Sequence, residues 1–144
     1  MANELVTRGN TLITGGTSNH LMLINVKERG LTGSKVEKLC DAIHVTLNKN
    51  TIVGDRSATT PGGIRVGTPA ITTRGYLEDD CKEVGRFLDE AIKLGVELQT
   101  RAGSKKLSDF VNAVADSSEV KQLADEVEAF ASQFPIPGFD VEVV

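Results

Sequence analysis

Residues 61–75 read "PGGIRVGTPAITTRG" and set one arginine, Arg65, between two aliphatic residues in a run otherwise made of small, turn-forming and β-branched side chains. In an extended chain, successive side chains alternate between faces, so Ile64 and Val66 point one way and Arg65 the other. A strand is predicted here that packs on one side and presents a permanent charge on the other. Gly62, Gly63 and Gly67 carry no Cβ and let the backbone turn or approach another group closely. The expectation is that something sits against this strand.

Upstream, 11–14 and 21–26 are short apolar runs rich in β-formers, separated by the turn cluster "GGTSNH", and they read as two strands. In "TGSKVEKLCDAIH", Ser34 and Glu37 have capping-box spacing, and Val36, Leu39, Cys40 and Ile43 recur at helical offsets, which predicts an amphipathic helix. Residues 43–47 then shift to β-type side chains and predict a further strand, followed by the polar loop "NKNTIVGDRSATTPGG" and the arginine strand. Downstream, Glu78, Asp79 and Asp80 supply acid to a first helical turn, where the helix dipole favours it. Leu77, Cys81, Val84, Leu88, Ile92 and Val96 form one stripe of a helix over about 77–100. Two shorter helical patterns follow, one through Leu107, Phe110, Val111 and Val114 and one through Val120, Leu123, Val127, Phe130 and Phe134, stopped at Pro135.

The expected fold class is therefore α+β, two layers, with a small mixed sheet covered by helices. Residues 1–9 read as the remnant of a preceding helix, 10–75 as a β-β-α-β-β region carrying Arg65, 76–134 as a helical region and 135–144 as a tail. A length of 144 residues fits one domain. Aromatics at 4% and the absence of tryptophan point to an aliphatic core. A net charge of −4 leaves no basic field for a polyanion, so neither nucleic acid nor an anionic membrane is an expected partner. No run approaches the roughly twenty apolar residues of a membrane span. Cys40 and Cys81 lack metal-like spacing and read as reduced core residues. His20 and His44, the two histidines, read as structural or surface residues rather than an acid/base pair.

On composition alone Arg65 is a solvated strand arginine. The ordered combination of "GGTSNHLMLINV", "LNKNTIVGD" and "PGGIRVGTPAITTRG" resembles the C-terminal small domain of serine hydroxymethyltransferase, over nearly the whole chain from about 5 to about 137. That resemblance implies a fold-type I pyridoxal-phosphate enzyme which interconverts serine and glycine with tetrahydrofolate as cosubstrate. It also implies that Arg65 grips the α-carboxylate of the substrate amino acid. A guanidinium pairs with a carboxylate through two parallel hydrogen bonds, and so fixes the angle at which the Cα bonds meet the cofactor ring.

The same resemblance makes Asn50 a pterin contact of the folate, for which its donor and acceptor are suited; the alternative is that Asn50 only shapes the loop. Arg74 reads as structural, bonding carbonyls near the arginine strand, and Thr68 and Pro69 as shaping the turn. No catalytic, cofactor-binding or metal-binding residue is expected in this chain. The family's pyridoxal-phosphate lysine, phosphate-binding segment and pyridinium aspartate belong to the large domain, and no lysine here, Lys49 included, has the family's context. The implied partners are serine or glycine, folate, the protein's own large domain, and a second copy in a homodimer or tetramer. The implied location is the cytoplasm, or mitochondria or plastids given an upstream transit peptide, and the chain alone is expected to be inactive. Two rivals are the small domain of another fold-type I enzyme, an acyltransferase or aminotransferase, and a free-standing amino-acid-binding module.

Overall fold

The computed structural model describes residues 1–139. Of the tail 135–144, residues 140–144 lie outside the described residues. Helix α1 (Ala2–Thr7) leads into β1 (Thr11–Leu12) and β2 (Leu21–Asn25), then a single 3-10 turn (Lys27–Arg29), α2 (Gly33–Ala42), β3 (Asn48–Asn50) and β4 (Gly63–Gly67). Four helices follow among the described residues: α3 (Pro69–Thr73), α4 (Glu78–Ala102), α5 (Leu107–Asp116) and α6 (Ser118–Ala131).

The strands form one four-stranded sheet in the order β1-β2-β4-β3. Every pairing is antiparallel, so the two-layer α+β class holds, but the sheet is not mixed. The reason is the path between β2 and β3: α2 returns the chain to the far edge, and β4 then fills the centre running against both neighbours. Met22 and Ile24 of β2 and Ile64 and Val66 of β4 point to one face and are buried. There they join Val36, Leu39 and Cys40 of α2, Leu88 and Ile92 of α4 and Phe110 of α5 in one aliphatic core. The opposite face carries Leu21, Leu23 and Arg65, which are exposed or half-buried, and among the described residues no helix covers it.

Local chemistry explains where the elements differ from the pattern. Helix α2 is capped by Thr32, whose hydroxyl accepts from the Lys35 N–H, and not by Ser34. Glu37, free of any capping duty, instead accepts from the backbone N–H of Lys49 at 3.0 Å and lies 3.6 Å from its ammonium. It therefore covers the open edge of β3, which would otherwise present unpaired backbone donors. The strand expected over 43–47 is displaced to Asn48–Asn50. Val45 N–H bonds to the Cys40 carbonyl and His44 N–H to that of Asp41, with His44 at φ 63°, the bonding of a Schellman helix end. Ile43 is consequently buried as a helix terminus rather than as a strand residue.

In α4, Leu77 is exposed while Phe87, Ala91, Gly95 and Leu98 are buried beside Leu88 and Ile92. The packed face is thus wider than the single predicted stripe, because α4 touches α1, α2, α5 and α6 together. Its N-terminus is closed by the Asp80 carboxylate, which accepts from the Leu77 N–H at 2.8 Å. Cys40 is buried and its thiol is pushed up to about 12, chiefly by desolvation. Cys81 is half-buried, and both thiols are free.

Candidate functional site

β4 is a central strand, and its register decides what surrounds Arg65. Leu23 of β2 lies opposite it on one side and Asn48 of β3 on the other. Because side chains alternate, Asn48 and Asn50 emerge on the same open face as Arg65, whereas Lys49 turns to the other side to meet Glu37. The guanidinium is exposed, its Nε donating to Asn48 Oδ1 at 3.1 Å. Among the described residues no carboxylate forms an ion pair with it. Arg8, Arg86 and Arg101 are paired with acids, whereas Arg29 and Arg74 bond backbone carbonyls.

Arg65 stands between two hollows of the open face. One is lined by the turn 14–19, Leu21, Leu23, Asn50 and Arg65 itself. The other is lined by Thr46, Leu47, Asn48 and Gly67 together with Leu21 and Arg65. The turn is braced by its own side chains. Thr17 donates to the Leu21 carbonyl at 2.6 Å, Asn19 Oδ1 accepts from the Leu21 N–H at 2.8 Å, and the His20 carbonyl accepts from Thr68 N–H at 3.1 Å. His20 thus enters through its backbone, and His44 lies exposed at the end of α2 and lines neither hollow.

Asn50 shares the first hollow with Arg65 and donates locally to the Thr51 carbonyl at 2.7 Å. The glycines ahead of Arg65 answer to the chain's own packing. A Cβ at Gly63 would overlap Ile52 Cγ2, and one at Gly33 would overlap the Gly63 carbonyl oxygen. What sits against this end of the strand is therefore the loop 51–62 and the first turn of α2. That loop is held by Asp55, whose Oδ2 accepts from the N–H groups of Ile52 at 2.9 Å and Gly62 at 2.8 Å, with the Lys27 ammonium 3.3 Å from Oδ1. The N–H of Gly62, then that of Ile52 and the nearby lysine, hold the Asp55 carboxyl below the usual carboxylate range.

Arg74 does bond carbonyls, but those of Ala131 and Phe134 through Nη2 and Pro135 through Nε. It closes the C-terminal end of α6, where orphan carbonyls and the helix dipole favour a cation, and lies away from the arginine strand. Asn48 was missed as a site residue. Its signal was the alternation in "NKN", which puts both asparagines on one face as soon as β3 is placed there.

A solvent-facing guanidinium without an acidic partner suits an oxyanion, a carboxylate or a phosphate. Pyridoxal phosphate does not fit these residues alone: no lysine lines either hollow, and neither holds a carboxylate to face a ring nitrogen.

Fold and site together define a two-layer α+β small domain that offers one arginine from an uncovered sheet face. The sequence model of the serine hydroxymethyltransferase family matches residues 1–88. Serine hydroxymethyltransferase 4 of Arabidopsis thaliana is 44% identical over 139 residues, covering 96% of this chain and 29% of its own length. The mitochondrial serine hydroxymethyltransferase of Candida glabrata is 42% identical over 94% of this chain and 29% of its own length. A chloroplastic one from Arabidopsis thaliana is 44% identical over 96% of this chain and 27% of its own length. The chain belongs to the serine hydroxymethyltransferase family, and it spans less than a third of the length of these curated relatives.

Proposed function

We propose that this chain forms the carboxylate-binding wall of a serine hydroxymethyltransferase, with Arg65 holding the α-carboxylate of serine or glycine and Asn50 meeting the pterin of tetrahydrofolate. The observation that carries the reading is the Arg65 guanidinium, solvent-facing, without an acidic partner and sharing one hollow with Asn50. Pyridoxal phosphate, when bound in the complete enzyme, supplies the electron sink at the amino acid's Cα. The residues of this chain do not hold it and act only on the substrate. Arg65 holds the carboxylate at two points and fixes its plane, and with the amino group held by the rest of the complete enzyme this sets the Cα bonds in one orientation. The braced turn 14–19 and Leu21 form the walls of the hollow beside it.

On this reading the reaction belongs to the complete enzyme and this chain alone is inactive. Its uncovered sheet face is where the remainder of such an enzyme, and a second copy of it, complete the site. The test is serine binding to the complete enzyme, followed by calorimetry. Arg65→Ala is expected to remove saturable binding, and Arg65→Lys to restore little, because an ammonium lacks the planar fork. Serine affinity unchanged in Arg65→Ala would sink the reading. Asn50→Ala is expected to raise the KM for tetrahydrofolate roughly tenfold, the loss of one or two pterin hydrogen bonds, with serine affinity preserved. Equal losses for both substrates would instead mark Asn50 as a loop-shaping residue.

A further inference from the structure

An arginine on an open sheet face has several free torsions, and Arg65 stands between two hollows that it could enter. One interaction selects among its positions: Nε donates to Asn48 Oδ1 across the β3–β4 pair. The amide of Asn48 cannot turn freely, because its Nδ2 donates to the Lys49 carbonyl at 2.8 Å and so leaves Oδ1 toward the arginine. The strand beneath is itself tied down, since Glu37 accepts from the Lys49 N–H. A connected series thus runs from α2 through β3 to the guanidinium.

The chemical consequence concerns which nitrogens remain. A guanidinium can take a carboxylate side-on, through Nε and one terminal nitrogen, or end-on, through the two terminal nitrogens. With the single Nε proton committed to Asn48, only the end-on fork is open. We infer that Asn48 is a positioning residue which occupies the Nε proton of Arg65, so that a substrate carboxylate docks end-on. The inference rests on the proposed role of Arg65 as the carboxylate ligand and adds the residue that sets its geometry.

The test uses the 144-residue chain labelled with nitrogen-15, with acetate and then glycine as probes. Each arginine gives one Nε–H signal, and that of Arg65 is assigned by its loss in Arg65→Lys. In the parent chain the Arg65 Nε proton is expected to exchange slowly with water and to shift little on addition of acetate, while the terminal nitrogens respond. In Asn48→Ala exchange should quicken by about fivefold, the loss of one ordinary hydrogen bond, and acetate should now shift the Nε signal as the side-on mode opens. Asn48→Asp keeps the acceptor. Its Nε proton should stay protected while acetate binding weakens severalfold, because a like charge now lies beside the fork.

A thermal midpoint for each variant separates these effects from loss of folding, and Asn48→Asp carries the test if Asn48→Ala does not fold. An Arg65 Nε proton in the parent that exchanges as fast as in Asn48→Ala, or an acetate response at Nε already present in the parent, overturns this inference, whereas the carboxylate reading fails separately if serine affinity of the complete enzyme is unchanged in Arg65→Ala. A parent response that persists with the same nitrogens and the same strength in both Asn48 variants overturns the role of Asn48 alone.

Discussion

His44 shows how much one residue's backbone can decide. It occupies the left-handed region at the end of α2, the position where glycine is usual because a side chain there crowds the neighbouring carbonyl. His44→Gly is therefore expected to raise stability by about 0.5–1 kcal/mol, read as a higher urea midpoint with an unchanged slope. No change, or a loss, would mean that the imidazole makes a compensating contact. The same residue accounts for the main local error of sequence reading. Residues 43–47 have strand-like side chains, but the two hydrogen bonds that close α2 consume this segment, and the strand starts later. The outward placement of Arg65 was legible because Ile64 and Val66 flank it in an alternating run. Asn48 was not, because its partner is fixed by the register of a strand that the sequence pattern had placed elsewhere.

At the scale of elements, the loop between β3 and β4 depends on Asp55. Its carboxylate has a folded-state value below the roughly 3.9 of an unfolded aspartate, so between those two values the unfolded chain binds more protons than the folded one. The stabilising contribution is complete above the unfolded value and is lost as pH falls through the folded one. Glu119, brought down to about 2 chiefly by Arg101, adds to the same acid-side loss. Only the difference between variants isolates Asp55. Urea midpoints of the parent and Asp55→Asn, measured from pH 6 to pH 2, are expected to differ most at the upper end and to converge toward the lower. Parallel curves across the whole range would show that the Asp55 charge has no part in holding the loop.

Helices α2, α4, α5 and α6 were legible because their apolar residues recur at helical spacing; α3, a five-residue helix with no buried side chain, was read only as a turn at Thr68 and Pro69. The sheet order was not. β2 pairs with β4, whose residues lie some forty positions away in the chain, and no local pattern announces such a partner. In the same way the "TTRG" arginine carries no local sign that its carbonyls lie at the end of α6.

Across the whole molecule, Asp89 joins the N-terminal segment to the helical layer. It is fully buried in α4 and accepts from Asn10 Nδ2 at 2.8 Å; its Oδ2 lies 2.7 Å from the Lys93 ammonium and 3.7 Å from the Arg8 guanidinium. The Lys93 contact lacks hydrogen-bond alignment, so it is an ion pair rather than a directed bond. Asp89→Ala leaves a buried amide with fewer partners and a small void, and should cost about 2–3 kcal/mol, read from the denaturant midpoint. Lys93→Ala, which removes a half-exposed partner, should cost under about 1 kcal/mol. Comparable losses from the two would place the weight on the ion pair and not on the amide.

The central claim is that Arg65 serves a ligand and that its strand is held by Ile64 and Val66 on the opposite face. It is tested most directly by measuring the thermal midpoint and the serine-dependent rate of the same Arg65→Ala variant of the complete enzyme. The account predicts a midpoint within a few degrees of the parent and a kcat/KM for serine reduced about a hundredfold or more, equivalent to roughly 3 kcal/mol of lost carboxylate binding. A severely lowered midpoint, with the remaining folded enzyme turning over serine normally, would contradict it and make Arg65 a structural residue.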